Sequence, residues 1–261
     1  MKRVIKYILL AIAGLGLAAC MVISFTAGAD YRKSIRCTGL EVVILDSTRN
    51  SFVTKADVKG YIEKEYGKYL DVALDSIDLV GIEKIVDGRS AVRKSQAYVT
   101  KDGILHVDVT QRRPVVRFQK SGGGFYADEE GYIFPLQRTY ASHVQVVDGN
   151  IPLAADSGYK GAITDPKEKA WFENMMDVIG YIEDSKVWKE KIVQIHVDEG
   201  MDLILIPREG NEHFLFGQPV GIEDKFRKME KYYTHIIPAK GEGHYKIVDL
   251  KYKGQIVCKE K

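Results

Sequence analysis

The side chains of this chain best suited to chemistry are six histidines and three cysteines, and their spacing is wrong for it. Two imidazoles four residues apart on a helix can hold a metal, but His106, His143, His196, His213, His235 and His244 contain no such pair. The nearest approach to a cluster is His196-Val197-Asp198-Glu199. On a strand its members point to opposite faces and do not converge. His106 alternates with Leu105 and Val107, which predicts a solvated side chain. Cys20, Cys37 and Cys258 form no metal-ligand pattern, and spacing gives no support for a Cys37–Cys258 disulfide. Met175 and Met176 offer soft sulfur with no His or Cys nearby, so core packing is the better reading. Ser121-Gly122-Gly123-Gly124 has the composition of a phosphate cradle. No Lys-Ser or Lys-Thr follows and no helix opens behind it, so it reads as a turn. Nucleophile-elbow, zinc-protease and P-loop motifs are absent. The expectation is a protein that is not an enzyme and needs no cofactor or metal, although a triad assembled by folding leaves no mark in spacing.

Charge excludes another class. The net charge is +2 with 28% charged residues, which gives no broad basic surface for tracking nucleic acid.

From Tyr7 to Ala29 the chain carries no charged side chain over 23 residues. A helix of that length covers about 35 Å, enough to cross a hydrocarbon core of about 30 Å. The reading is a cytoplasmic tail over 1–7 and a transmembrane helix over 8–29. Lys2, Arg3 and Lys6 keep the N-terminus inside, and everything after the helix is exported. Two alternatives use the same residues. A cleaved signal peptide has a shorter apolar region, about 7–15 residues. Leu17-Ala18-Ala19-Cys20 resembles a bacterial lipobox, in which the cysteine is acylated, though Met21, Val22, Ile23 and Phe25 prolong the apolar run where a lipoprotein turns polar.

The remainder has the length of two modest domains. Leu40 to Leu45 reads as a strand. Thr54 with Asp57 caps a helix carrying Val58, Tyr61, Ile62 and Tyr66, and a second helix starts near Asp75 or Ser76 and stops at Gly88. Two strands, Gln96–Val99 and Leu105–Thr110, meet at the Asp102-Gly103 turn. Pro114 belongs at a strand edge or kink where one sheet hands over to the next. Phe125 to Phe134 reads as a hairpin turning at Asp128-Glu129-Glu130-Gly131. A strand near Val144–Val147 precedes a helix capped by Asp165-Pro166, with Phe172, Met175, Met176, Ile179 and Ile182 inward. Val193, Ile195 and Val197 face inward on the next strand, Leu203–Ile206 and Phe214–Phe216 add two more, and a last helix with Phe226, Met229, Tyr232, Tyr233 and Ile236 ends at Pro238. The fold class is α+β: a β-α-α-β-β domain over 36–118, then a β-rich domain over 119–258 with a bent antiparallel sheet and two helices.

Gly103 to Val116 resembles the end of the POTRA domain in bacterial cell-division proteins of the FtsQ/DivIB family, where a strand runs into Glu-Arg-x-Pro-Val-Ala. Arg112, Arg113, Pro114 and Val115 keep the centre of that signature, while Gln111 stands for its Glu and Val116 for its Ala. Ser76-Ile77-Asp78-Leu79 is similar to the family's second-helix opening, the hairpin from Asp128 to Gly131 follows in the family's order, and Ile247 to Tyr252 resembles a Val-Asp-Leu-Arg-Tyr segment with Lys251 for Arg. The resemblance implies a non-enzymatic divisome scaffold in the inner membrane at the septum, its POTRA and second domains periplasmic. It also implies FtsB-like and FtsL-like coiled-coil membrane proteins as partners, with FtsK, FtsW and FtsI nearby. The alternative is an envelope lipoprotein, acylated at Cys20, acting in assembly or chaperoning of exported proteins.

Alternation over Lys246–Tyr252 puts Val248, Leu250 and Tyr252 on the core face and Ile247, Asp249 and Lys251 on the other. A strand this near the terminus is expected at or near a sheet edge, able to accept a strand from another chain, and the resemblance implies that FtsB docks in this region. The candidate contacts are Tyr245, Ile247, Asp249, Lys251 and Tyr252; the alternative is an ordinary edge protected by Lys246, Lys251, Lys253 and Lys259.

Overall fold

The computed structural model describes residues 14–23, 35–48, 51–137 and 140–260. Residues 14–23 are helical. Among the described residues no helix is long and apolar enough to cross a membrane, and the rest of the expected span lies outside them. The chain divides into two compact units, Met1–Arg49 with Val53–Gln111, and Asn50–Phe52 with Arg112–Lys261.

In the first unit β1 (Gly39–Ile44) pairs in parallel with β3 (Ile104–Gln111), which pairs antiparallel with β2 (Val92–Val99), giving the order β1-β3-β2. Helices α1 (Lys55–Glu65) and α2 (Leu79–Asp87) supply the second layer. Thr54 and Asp57 form the expected capping box: each side chain accepts from the other's backbone N–H, at 3.2 and 2.9 Å. The helix α2 starts later than expected. Leu74–Ser76 is a separate 3-10 turn, and Asp78 caps α2 by accepting from Gly81 N at 2.9 Å. Gly88 ends α2 with right-handed backbone, so a left-handed cap plays no part. The apolar sides of both helices meet the sheet: Val58, Ile62, Ile82, Val86, Leu105, Val107 and Val109 are fully buried. The outer edge of β2 is closed by acids from α2, since Asp87 accepts from Ser95 N at 2.6 Å and Glu83 from Ala97 N at 2.8 Å.

The second unit is one nine-stranded sheet. Its strands are β4 (Pro114–Lys120), β5 (Gly123–Asp128), β6 (Ile133–Pro135), β7 (Gln145–Gly149), β8 (Ile192–Val197), β9 (Leu203–Pro207), β10 (His213–Gly217), β11 (Tyr245–Asp249) and β12 (Val257–Glu260), in the order β12-β11-β10-β9-β8-β7-β4-β5-β6. The boundary therefore falls at Arg112 rather than after residue 118, because Pro114–Lys120 pairs with β5 and β7. The sheet is mixed rather than antiparallel: β4–β7, β7–β8 and β10–β11 are parallel. Parallel neighbours need a crossover. Helix α3 (Pro166–Asp184), followed by the single turn α4 (Trp188–Lys191), carries the chain from β7 to β8, and α5 (Ile222–Lys231) carries it from β10 to β11.

Asp165 caps α3 as the sequence predicts, accepting from Lys167 N and Glu168 N at 2.9 and 3.0 Å with Pro166 at the first turn. Phe172, Met175, Val178, Ile179 and Ile182 are buried in one core with Phe118, Val147, Ile195, Phe214, Phe226 and Val248. Met176 is only partly buried. On β8 a bulge between Ile192 and Gln194 shifts the alternation, so Ile192, not Val193, faces the core. Pro238 does not stop the last helix. A π turn over Tyr232–Ile236 precedes it, and the prolyl ring sits at the start of α6 (Ile237–Lys240), where a missing N–H is not needed.

Gln111 is 2% exposed. Its amide oxygen accepts from Val53 N at 2.8 Å, and its amide nitrogen donates to Asp46 Oδ1 at 3.2 Å. A carboxylate there has no proton for Asp46. Gln111→Glu is therefore expected to lower stability at pH 7 by about 2–3 kcal/mol. Facing carboxylates raise the folded-state pKa, so the loss shrinks as pH falls and one of them protonates. Urea titrations at pH 7 and pH 4.5 check both the loss and its recovery.

Candidate functional site

The far end of the second sheet is assembled by three elements. Strand β11 joins β10 through only three residue pairs, His213–Ile247, Phe214–Val248 and Leu215–Asp249. Strand β12 pairs antiparallel with β11 from Tyr245–Glu260 to Asp249–Val257 and forms the outer edge. The outer edge is thus β12, and β11, expected at or near an edge, lies one strand inside it.

Val248 and Leu250 are fully buried, as alternation predicts, but Tyr252 is 51% exposed and Asp249 only 7%. The strand ends at Asp249, whose carboxylate accepts from Lys251 N at 3.0 Å, and this local turn breaks the period of two before it reaches Tyr252. Ile247 is half-buried within the ladder, Tyr245 half-buried at its start, and Lys251 reaches Asp202 at 3.3 Å. That hydrogen bond raises the Lys251 pKa. The five candidate residues share one hairpin; its open edge belongs to Val257, Cys258, Lys259 and Glu260.

Two lysines of α5, unnoticed in the sequence because helical spacing marks them as surface, bond carbonyls at this end of the sheet, and Lys228 holds the hairpin. Lys228 is 7% exposed; its ammonium donates to Leu250 O at 3.0 Å and Tyr252 O at 2.7 Å, and Asp224 lies 3.2 Å away. Lys225 donates to Gln218 O at 2.6 Å, beside the Phe216 ring. Burial, with Lys228 adding repulsion, lowers the Lys225 pKa. Beneath the strands, Tyr233 donates to the buried Glu212 at 3.0 Å. Burial raises both Tyr232, to about 12, and Tyr233, with Glu212 adding to each. Burial also raises the Cys258 thiol.

The signature residues lie at the other end of the sheet. Arg112 is paired with Asp128 at 2.8 Å, its guanidinium 3.4 Å over the Tyr132 ring. Asp128 also accepts from Glu130 N and Tyr132 N. Arg113 is half-exposed and 3.8 Å from Glu129. Pro114 opens β4 opposite Asp128, and Val115 is buried. Each arginine is thus held by a neighbouring carboxylate.

His106, His196 and His244 each lie beside a carboxylate. His196 bonds Asp148 at 2.8 Å, not Asp198 or Glu199. His106 lies between Glu41 at 3.5 Å and Thr100 at 3.2 Å, an order of groups that suggests an activated hydroxyl. Thr100 instead gives its single proton to Asp102, so the imidazole has none to take and must donate.

Comparison with known proteins agrees with this architecture. A family model described as FtsQ/DivIB, C-terminal related, matches residues 113–259, and one described as a POTRA-like domain matches residues 35–110. No curated protein matches the chain.

Lys228→Met leaves the Leu250 and Tyr252 carbonyls without their donor. The expected cost is about 1–3 kcal/mol, with faster amide exchange in residues 245–260 than elsewhere, read by hydrogen-exchange mass spectrometry. Tyr232 and Tyr233 hold their protons more tightly folded than unfolded. Their stabilisation is complete below the ordinary phenol pKa of 10.0; that of Tyr232 is lost as pH rises toward about 12, and that of Tyr233, raised further, at higher pH still. Denaturant midpoints should fall above pH 10, and less steeply in Tyr232→Phe.

Proposed function

The chain belongs to the FtsQ/DivIB, C-terminal related family, and we propose that it is a non-catalytic scaffold of the bacterial division machinery. In this reading the uncharged run from Tyr7 to Ala29 tethers it to the inner membrane. The two units project into the periplasm, and FtsB-like and FtsL-like membrane proteins, with FtsK, FtsW and FtsI nearby, are its partners. Division proteins of this family are generally non-catalytic.

The observation that carries the reading is the open edge of β12. It is four residues long, pairs with β11 on one side, and leads a nine-stranded sheet. An extended partner segment can add to such an edge through main-chain hydrogen bonds, its side chains fitting alternate positions. Charged Lys259 and Glu260 are exposed there. They discourage indiscriminate pairing while leaving a charge pattern for a chosen partner to read.

Depletion of the protein should block septation, and a fluorescent fusion should concentrate at the septum; normal division on depletion overturns the reading. The edge itself is tested by proline. Successive residues of a strand aim their N–H groups to opposite sides. Of Cys258→Pro and Lys259→Pro, one therefore removes an inward bond to β11 and lowers stability. The other removes an outward donor and should abolish capture of the FtsB-like partner with the melting temperature unchanged. If both variants fold and bind like the parent, the partner docks elsewhere.

A further inference from the structure

At the opposite end of the sheet from β12, a groove runs along α3. Two adjoining cavities of about 390 and 360 Å³ share Glu129, Met176 and Asp177. One wall is α3, and the other is the β5–β6 turn with the start of β4. The lining positions on the helix run from Lys169 to Asp184, so the groove follows about 22 Å of α3 at 1.5 Å per residue.

Its rim is acidic. Glu129, Glu130, Glu173, Asp177, Glu183 and Asp184 line it against Arg113 and Lys169. Arg113 pairs with Glu129, Lys169 with Glu173, and Glu183 with Lys189, so the negative charge open to a partner rests chiefly on the exposed Asp177 and Asp184. The floor is apolar, built on Phe172 and Ile179 with Met176 partly exposed on top. Methionine suits a surface that must repack around another chain.

Gly180 supplies a third, independent feature. Glycine is among the poorest helix formers, yet it sits inside the 19-residue helix α3 and lines the groove. A Cβ added there would meet nothing within 4 Å, so packing within this chain does not require the residue to be glycine. A missing side chain on a groove floor permits close approach of another backbone.

We propose that this groove receives a basic amphipathic helix of a partner protein. A groove that follows the length of α3 fits a second helix, Met176 and Gly180 take its apolar side, and its lysines or arginines lie along the carboxylate rim. The site shares no residue with the β12 edge, so it survives or falls independently of strand addition there.

The test is fluorescence anisotropy of the full chain with a labelled Lys/Leu amphipathic peptide of about five turns, and with its Glu/Leu counterpart. The Lys/Leu peptide should bind and weaken with added salt, and the Glu/Leu peptide should not bind. Gly180→Leu and the double variant Asp177→Lys with Asp184→Lys should each reduce affinity roughly tenfold or more. Glu209→Lys with Glu242→Lys, exposed acids outside the groove, should leave affinity unchanged. Asp177 and Asp184 are exposed, so their reversal keeps the test alive if Gly180→Leu does not fold. Equal binding by parent and groove variants, equal loss from the control pair, or binding of both peptides overturns the proposal. So does self-association in sedimentation that the groove variants abolish, because the occupant is then a second copy of this chain.

Discussion

The second unit depends on the pairing of Arg112 with Asp128. Strand β4 is the branch point of the sheet: β5 and β6 lie on one side of it, and β7 through β12 on the other. What places β4 is its root, where the Arg112 guanidinium reaches Asp128 and lies over Tyr132 while Asp128 gathers the N–H groups of the turn that follows β5. Burying two charges consumes much of what their attraction returns. The net gain is therefore geometric: the pair ties the start of β4 to the end of its neighbour β5 and so sets their register. Pro114, with no N–H to satisfy, begins the strand where no ladder bond is needed.

Features set within a few residues were legible in the sequence, and those set by distant partners were not. Thr54 with Asp57, Asp165 with Pro166, and the turns at Gly103 and Gly131 are local chemistry, and each stands where its residues predict. Strand direction is different. Alternation gives a strand's faces but not its neighbour's polarity, so parallel β7–β8 and β10–β11 were read as antiparallel. The available signal was the helix between each pair, which makes a crossover possible. The Ile192 bulge and the turn at Asp249 defeat alternation for a related reason: each inserts a break that period-two counting carries straight through.

At the candidate site, the strand expected at or near an edge is β11, which lies next to the outer strand β12. Tyr245, Ile247, Asp249, Lys251 and Tyr252 surround β11, and the unpaired edge lies beyond them. Nothing in Val257–Glu260 marks it as an edge except its place in the chain. Lys228 was invisible because a lysine in an amphipathic helix is ordinarily a solvated one, and only folding shows that two carbonyls wait for it. Gln111, a departure from the family signature, becomes intelligible beside Asp46, where an amide can donate and a carboxylate cannot.

The two ends of the sheet are built to different rules. Around β4 the strands are longer, the turn is cross-linked by side chains, and the helix α3 covers the inner face. Around β11 the ladder to β10 spans three pairs, and the hairpin is retained by buried Val248 and Leu250 and by one ammonium holding two carbonyls. Three-pair ladders also join β4 to β7 and β5 to β6, so what distinguishes the β11 end is its retention by the Lys228 ammonium. In the proposed reading, a partner strand added at β12 would supply its second ladder. Lys228 fixes the turn after β11 to α5 by holding the Leu250 and Tyr252 carbonyls.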